Sequence, residues 1–292
     1  MDTAVKRIIV PTFILIISSM QVFSAYGWSN GGYGDDPSNP KYGTHDWIAQ
    51  HALDWLQPQE KQFILDHLAA YEYGTEPPDR KTAPWGIGDT RKHHVYYFAD
   101  GTLQDSSSAE RAQEEYTLAL NYAKYGDWAN ASMALGAMTH YIADVAVFGH
   151  VMGSGTDWGS EVHHNDYEKY VEGRTSSYSG EFGSYLVFDG VLETVNPYDA
   201  ALELAFNTTL GDNGNFSCTW MDHNYDWTNA AFKNRCVESL NLAVNVIADV
   251  LHTFSNEAAI PEFPHLAILP VLAVLALFAT AYASMKRESL RL

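Results

Sequence analysis

The chain has 292 residues, 46% of them apolar and 13% aromatic, with 36 Asp+Glu against 17 Lys+Arg and a net charge of −19. This composition excludes an intrinsically disordered chain, and the acidic balance excludes a protein that holds nucleic acid through a basic footprint. Two cysteines exclude a disulfide-stapled miniprotein and a thiolate metal cluster, whereas twelve histidines are many.

Residues 1–27 read as a secretory signal. Lys6 and Arg7 precede the apolar stretch Ile8–Ile17, and Ala25-Tyr26-Gly27 offers small residues around a cleavage site. Cleavage after Gly27 would make Trp28 the mature N-terminus. Loop residues crowd 29–43, and Thr44 caps a helix running to Leu56. After a second loop at 74–90, Ser107 or Ser108 opens a helix to about Tyr125, and Asp127 caps another to about Val147. A loop at 153–160 leads to a helix from about Ser160. Asn196-Pro197 starts a helix to about Thr208. Thr228 starts a long final one, with Phe232, Val237, Leu240, Ala243, Val246, Val250 and Phe254 near helical spacing. No repeat and no strand alternation stand out. The expectation is an all-α, single, multi-helix, bundle-like domain over 28–260.

Beyond it, residues 261–265 form a linker, and Leu266–Ser284 is almost wholly apolar. At ~1.5 Å per residue that helix reaches about 28 Å, enough to cross a bilayer. The basic tail 285–292, with Lys286, Arg287 and Arg291, would lie inside and the domain outside. Pro261-Glu262-Phe263-Pro264 resembles the PEFP element that precedes C-terminal anchors and sorting signals of archaeal surface proteins. The outward part, 28–264, carries 34 acids against 12 bases, a net −22. Sequons at Asn130, Asn207 and Asn215 fit an extracellular surface. Cys218 and Cys236 could form a bridge there, stabilising by about 3 kcal/mol, or stay as buried thiols.

Histidines and carboxylates carry the chemistry. His140 and Asp144 lie four apart, one above the other on a helix face, and His150 follows. His164 and Glu168 repeat the spacing on the next helix. Imidazole and carboxylate are what zinc takes when thiolates are absent. One such pair would be an ordinary ion pair; two pairs plus His150 within 29 residues point to metal. Upstream, His45 sits at a helix start, Asp79 ends the rigid stretch Gly74-Thr75-Glu76-Pro77-Pro78-Asp79, and His93-His94 lead into Val95-Tyr96-Tyr97-Phe98.

In that order Trp28, His45, Asp79, His94, His140, Asp144, His150, His164 and Glu168 resemble the ligand run of the zinc-dependent phospholipase C family of secreted bacterial enzymes. The resemblance covers roughly residues 28–172 and, weakly, the final helix. Local text agrees at Thr44-His45, at Gly74-Thr75 ahead of Pro78-Asp79, and at Leu135-Gly136 ahead of His140-Tyr141. It implies an all-α fold holding three zinc ions. Asp79, His94, His140 and Asp144 would hold one. The amino group and carbonyl of Trp28, with His45 and a bridging Asp144, would hold a second, and His150, His164 and Glu168 a third. Asp79 is assigned to orient or deprotonate the attacking water, and Asp89 is the second candidate for that role, otherwise a turn or supporting residue. His93 is read as supporting or surface and His163 likewise. His51, His67, His223 and His252 are read as ordinary histidines, and Trp47, Trp55, Trp85, Tyr96 and Tyr97 as core. Two departures bear on the substrate mouth: Val145-Ala146-Val147-Phe148-Gly149 lacks the proline the family usually has before its histidine, and the loop before His164 is rich in Gly, Ser and Asp.

The expected activity is that of a cell-surface, zinc-dependent phosphodiester hydrolase, foremost a phospholipase C releasing a phosphorylated headgroup at a membrane surface. The alternative is a single-strand-specific zinc nuclease using the same cage. A non-catalytic zinc-binding surface protein, or structural zinc in an adhesion module, comes third. Glu168 and the 14-residue step from His150 to His164 favour the phospholipase branch, and the acidic domain suits a stable nucleic-acid complex poorly. Expected partners are phospholipid and a sorting or processing enzyme acting on the C-terminal anchor; the oligomeric state is left open.

Overall fold

The computed structural model describes residues 28–81, 86–211 and 214–258. The leader 1–27, Trp85, the linker 261–265, the apolar segment 266–284 and the tail 285–292 lie outside the described residues. No helix among those described is long and apolar enough to cross a membrane.

The architecture is helical. Helix α1 spans Thr44–Trp55, α2 Pro58–Leu65 and α3 Leu68–Gly74, followed by a 3-10 turn at Pro77–Asp79. A small hairpin pairs β1 (Tyr96–Tyr97) antiparallel with β2 (Leu103–Asp105), Tyr96 opposite Asp105. Then come α4 (Ser107–Lys124), α5 (Trp128–Asp144), a 3-10 turn at Phe148–His150 and α6 (His164–Thr175). Helices α7 (Pro197–Leu210), α8 (Cys218–His223) and α9 (Ala230–Glu257) follow among the described residues. Buried apolar side chains from Trp28 to Phe254 form one cluster.

The expected helices are present, with shifted ends that have local causes. Thr44 is not the cap of α1. The Gly43 N–H donates to Asp46 Oδ2 at 2.8 Å, and the Thr44 hydroxyl pairs with Thr175 Oγ1 at 2.8 Å. Asp127 does cap α5, accepting from the Asn130 N–H. Helix α5 stops at Asp144, short of Val147, and the chain turns again to present His150 from a 3-10 turn. Asn229 caps α9 through the Ala231 N–H, because the Thr228 hydroxyl is donated to Asp226. The short α2, α3 and α8 and the hairpin were not expected; each has too few residues to display a period.

Helix α5 is the central element, buried on nearly every side from Ala131 onward. Its small residues let neighbours close in. A Cβ on Gly136 would stand 2.0 Å from the Tyr71 carbonyl oxygen, and one on Gly74 2.1 Å from that of Met133. Glycine at both positions lets α3 and α5 pack backbone against backbone, bringing Thr75 and Asp79 over His140 and Asp144. On another face, α9 offers Asn241, Asn245, Asp249 and Thr253 at four-residue spacing. They accept the backbone N–H groups of Val187, Asp189, Glu193 and Val195 in turn, strapping that non-helical segment along the helix.

Cys218 and Cys236 do not form the bridge considered above. Both are free and buried, Cys236 on α9 lying against Tyr167, and burial pushes both thiols up to about 12. Of the sequons, Asn130 and Asn207 lie within helices with their side chains engaged by Asp127 and Arg235, whereas Asn215 is exposed in a loop.

Candidate metal centre

Among the described residues, three groups of side chains offer metal-ligand atoms within 4.8 Å of one another: His45 with Asp79 and His140; His93 with His140 and Asp144; and His150 with His164 and Glu168. All eight residues are buried. Helix α5 supplies His140 and Asp144 through the spacing legible in the sequence, α1 supplies His45 at its first turn, and the rigid Pro77–Asp79 turn aims Asp79 inward.

Asp144 sits at the join. Its Oδ2 lies 2.8 Å from His93 Nδ1 and 3.1 Å from His140 Nε2, while Oδ1 lies 3.3 Å from His45 Nε2. Asp79 Oδ1 approaches His93 Nδ1 at 3.5 Å and His140 Nε2 at 3.7 Å, and its Oδ2 accepts from Asn30 Nδ2 at 3.1 Å. In the third group Glu168 Oε1 lies 2.8 Å from His164 Nε2 and 3.6 Å from His150 Nε2. Backbone carbonyls set the outer nitrogens: His140 Nδ1 meets the Thr75 carbonyl oxygen at 2.7 Å and His150 Nδ1 that of His93 at 2.5 Å. Both rings therefore turn Nε2 to the interior, as ligating histidines do.

The cage is His93, not His94. Leading into β1, burial alternates with a period of two, as along a strand: His93, Val95 and Tyr97 are buried, while His94 and Tyr96 are only half-buried. His94 stacks on Tyr96 and lies 3.3 Å from Asp105 across the hairpin. His163 and His51 are engaged with Asp222 and with Asp54 and Tyr178, and His252 with Glu60, as ordinary histidines. Trp28 is fully buried, its indole Nε1–H donating to the Ala143 carbonyl at 3.0 Å, and the Ser29 carbonyl accepts from the His45 N–H. The start of the described chain thus lies against both His45 and the residue preceding Asp144.

The donor set fits zinc on its own evidence. Both oxygens of Asp144, both ring nitrogens of His45, Asp79 Oδ1 and His150 Nε2 are buried without an aligned hydrogen-bond partner. Burying so many orphaned polar atoms in one place costs about 1–3 kcal/mol each unless something satisfies them; a cation facing them all would do so. The electrostatics agree. Burial would raise Asp144, yet His140 and His150 outweigh it and hold its carboxyl well below the usual range. Burial raises Asp79, with His140 and His93 offsetting part of that. For His93 burial is outweighed by Asp144, Asp89 and Asp79, which push it up to about 10. Glu168 and Glu161 do the same for His164, also to about 10.

A pH dependence follows. Both imidazolium protons are held at neutral pH, and a metal must displace them. Zinc uptake at pH 7 is therefore expected to release at least two protons. Affinity should rise by up to about tenfold per pH unit in each of those two groups, levelling near pH 10. Titration calorimetry in buffers of different ionisation enthalpy reads the proton count, and zero release would remove His93 and His164 from the cage.

The groups open on a cleft of about 300 Å³. Asp79 and Glu168 lie in its wall beside Asn30, Tyr33, Lys169 and Glu172. No spacing in the sequence marked Asn30, Tyr33 or Lys169; they reach the cleft because the loop after Trp28 folds over Asp79 and because Lys169 follows Glu168 on α6.

A helical domain carries buried imidazole–carboxylate groups, two of them sharing His140 and both reached by Asp144, with Asp79 and Glu168 lining one cleft: the centre of a metal-dependent protein. The sequence model of the family described as zinc dependent phospholipase C matches residues 44–244. The chain belongs to that family and is a zinc-dependent, phospholipase C-type hydrolase. Two solved structures share the fold. One is alpha toxin from Clostridium absonum, 15% identical, with 79% of this chain and 67% of the toxin covered and a TM-score of 0.51. The other is Clostridium perfringens alpha-toxin from an avian strain, 13% identical, with the same coverage and a TM-score of 0.52. No curated protein matches the sequence.

Proposed function

We propose that this chain is a surface-held phospholipase C that releases the phosphorylated headgroup of a phospholipid. The observation that carries the reading is the joining of two ligand groups at Asp144, with a third closed by Glu168, on the wall of one cleft. Three zinc ions would fill it: one on Asp79, His93, His140 and Asp144, one on His45 and Asp144, and one on His150, His164 and Glu168. Removal of residues 1–27 would free the amino group of Trp28 to complete the His45 group, whose ring nitrogens lack partners. When bound, zinc supplies Lewis acidity to a phosphodiester and a nucleophile at neutral pH.

The protein's own groups do the rest. Asn30 holds Asp79 Oδ2, leaving Oδ1 toward the cage, so Asp79 is placed to orient the attacking water and take its proton. Lys169 brings a cation to the cleft wall near Glu168, suited to a phosphate oxygen. Water adds to phosphorus, the bond from phosphorus to the glycerol oxygen breaks, and that oxygen takes a proton. The leader, the PEFP stretch and the apolar segment 266–284 support display outside the cell membrane, retained there or passed to a sorting enzyme.

The test offers phosphatidylcholine vesicles and single-stranded DNA in parallel to zinc-loaded protein processed to begin at Trp28. Chelator-sensitive headgroup release is expected, with Asp79→Asn lowering turnover by about 10²–10⁴-fold and losing less metal than Asp144→Asn. Nucleotide release alone would place the chain with the zinc nucleases. Zinc bound without turnover on either substrate would count against catalysis, and unchanged turnover in Asp79→Asn would remove the role given to that residue.

A further inference from the structure

Behind the cage lies a second carboxylate that the reaction does not use. Asp89 is half-buried, and both its oxygens are held: Oδ1 accepts from the Tyr141 hydroxyl at 2.7 Å, and Oδ2 from Arg111 Nε at 2.5 Å. Arg111 is fixed in turn by Glu114 and Glu115 and lies 5.2 Å from the centre of the Tyr141 ring. The network ties α4 to α5 one residue beyond His140. Its free side faces His93, whose Nε2 lies 3.7 Å from Asp89 Oδ1 and is buried with no hydrogen-bond partner. The Tyr141 ring stands edge-on to the same imidazole at 5.2 Å.

The two nitrogens of His93 therefore face different things. Nδ1 looks into the cage, toward Asp144, Asp79 and His140; Nε2 looks out at one anion that has nowhere else to turn. We infer that Asp89 is a positioning residue for the metal centre: it receives the Nε2–H of His93 and so selects the tautomer that offers Nδ1 to zinc. The inference rests on the zinc reading of the cage. It also separates Asp89 from the role of base, because its carboxylate lies on the far side of the His93 ring from Asp79 and is tied to Arg111 and Tyr141. Of the four cage imidazoles with an outer partner, His140 and His150 use backbone carbonyls, whereas His93 and His164 face carboxylates, Asp89 and Glu161. A carboxylate there raises ligand basicity as well as fixing the ring.

The test is chelator competition for zinc on the full chain at fixed pH, which reads each affinity without reference to lipid turnover. Asp89→Asn is expected to weaken one zinc affinity 10- to 100-fold, the range found for outer partners of ligating histidines, while the group of His150, His164 and Glu168 keeps its affinity. An Asp89→Asn chain that folds with every affinity unchanged, or with all weakened alike, would overturn the inference. If that variant does not fold, Tyr141→Phe decides, since it removes one support of Asp89 and leaves both charges. Selective, several-fold weakening of one site upholds the role, and wild-type affinities overturn it. Wild-type protein that takes up no zinc would instead remove the metal reading itself, before any variant is compared.

Discussion

Asp144→Asn is expected to abolish turnover and strip metal in the same step. The carboxylate is fully buried and divides its oxygens between two ligand groups, Oδ2 toward His93 and His140 and Oδ1 toward His45. An amide keeps the shape but offers one weak acceptor where two anionic oxygens stood. Loss of an outer partner costs a site 10- to 100-fold in affinity; loss of a shared ligand should exceed that in both groups that use it. With preorganised charge contacts worth about 10²–10³ each in turnover, activity should fall at least a thousandfold. Elemental analysis of zinc per chain, beside headgroup release, checks it. The third group does not use Asp144 as a ligand, so residual zinc should match that group alone. A full complement of zinc in the variant would show that Asp144 is not shared.

Much of this centre is legible in the sequence, and what is not has physical causes. Helical spacing made His140 with Asp144, and His164 with Glu168, readable as facing pairs, because four residues are close to one turn whatever the context. His45 at a helix start and Asp79 in a rigid loop are candidates from the sequence, and the resemblance supplies their ligand roles; the fold joins them to α5 through the Gly74–Gly136 approach, which no local pattern announces. His94 was the error. A resemblance fixes order along the chain but slips easily by one residue where two histidines are adjacent. The parity was in the text all the same: Val95 and Tyr97 are the apolar anchors of the stretch entering β1, and a period of two carries the buried face back to His93. The hairpin was too short to show its alternation, so that argument had no strand to stand on. Asp89 reads either as a second base or as a turn or supporting residue, and it is bound to Arg111 and Tyr141, a distinction that depends on which side of an imidazole it lies. The cleft wall could not be read at all, because Asn30, Tyr33 and Lys169 meet there only through tertiary packing.

Gly149→Ala should remove one zinc and leave the others. The residue lies in the turn that presents His150. Its φ is not in the left-handed region, so the demand for glycine is steric. A Cβ there would stand 2.4 Å from His164 Cγ and 2.5 Å from Nδ1, inside any real contact. Neither neighbour can give way cheaply. The His164 ring is buried against His150 edge-on and lies 2.8 Å from Glu168, while the turn is pinned by the Val95 N–H on the His150 carbonyl. Overpacking of this kind costs about 1–3 kcal/mol, which for a domain of this size lowers the melting temperature by roughly 2–10 °C. The same shift pulls His164 away from His150 and Glu168, breaking the third ligand group. The groups built on Asp144 should persist, because they draw on α1, α5, the Pro77–Asp79 turn and His93. Zinc stoichiometry reduced by one, with competition curves for the remaining sites unchanged, is the expected result. Wild-type stoichiometry at wild-type melting temperature would show that the turn yields, and that the His164 ring is held less firmly than its packing implies.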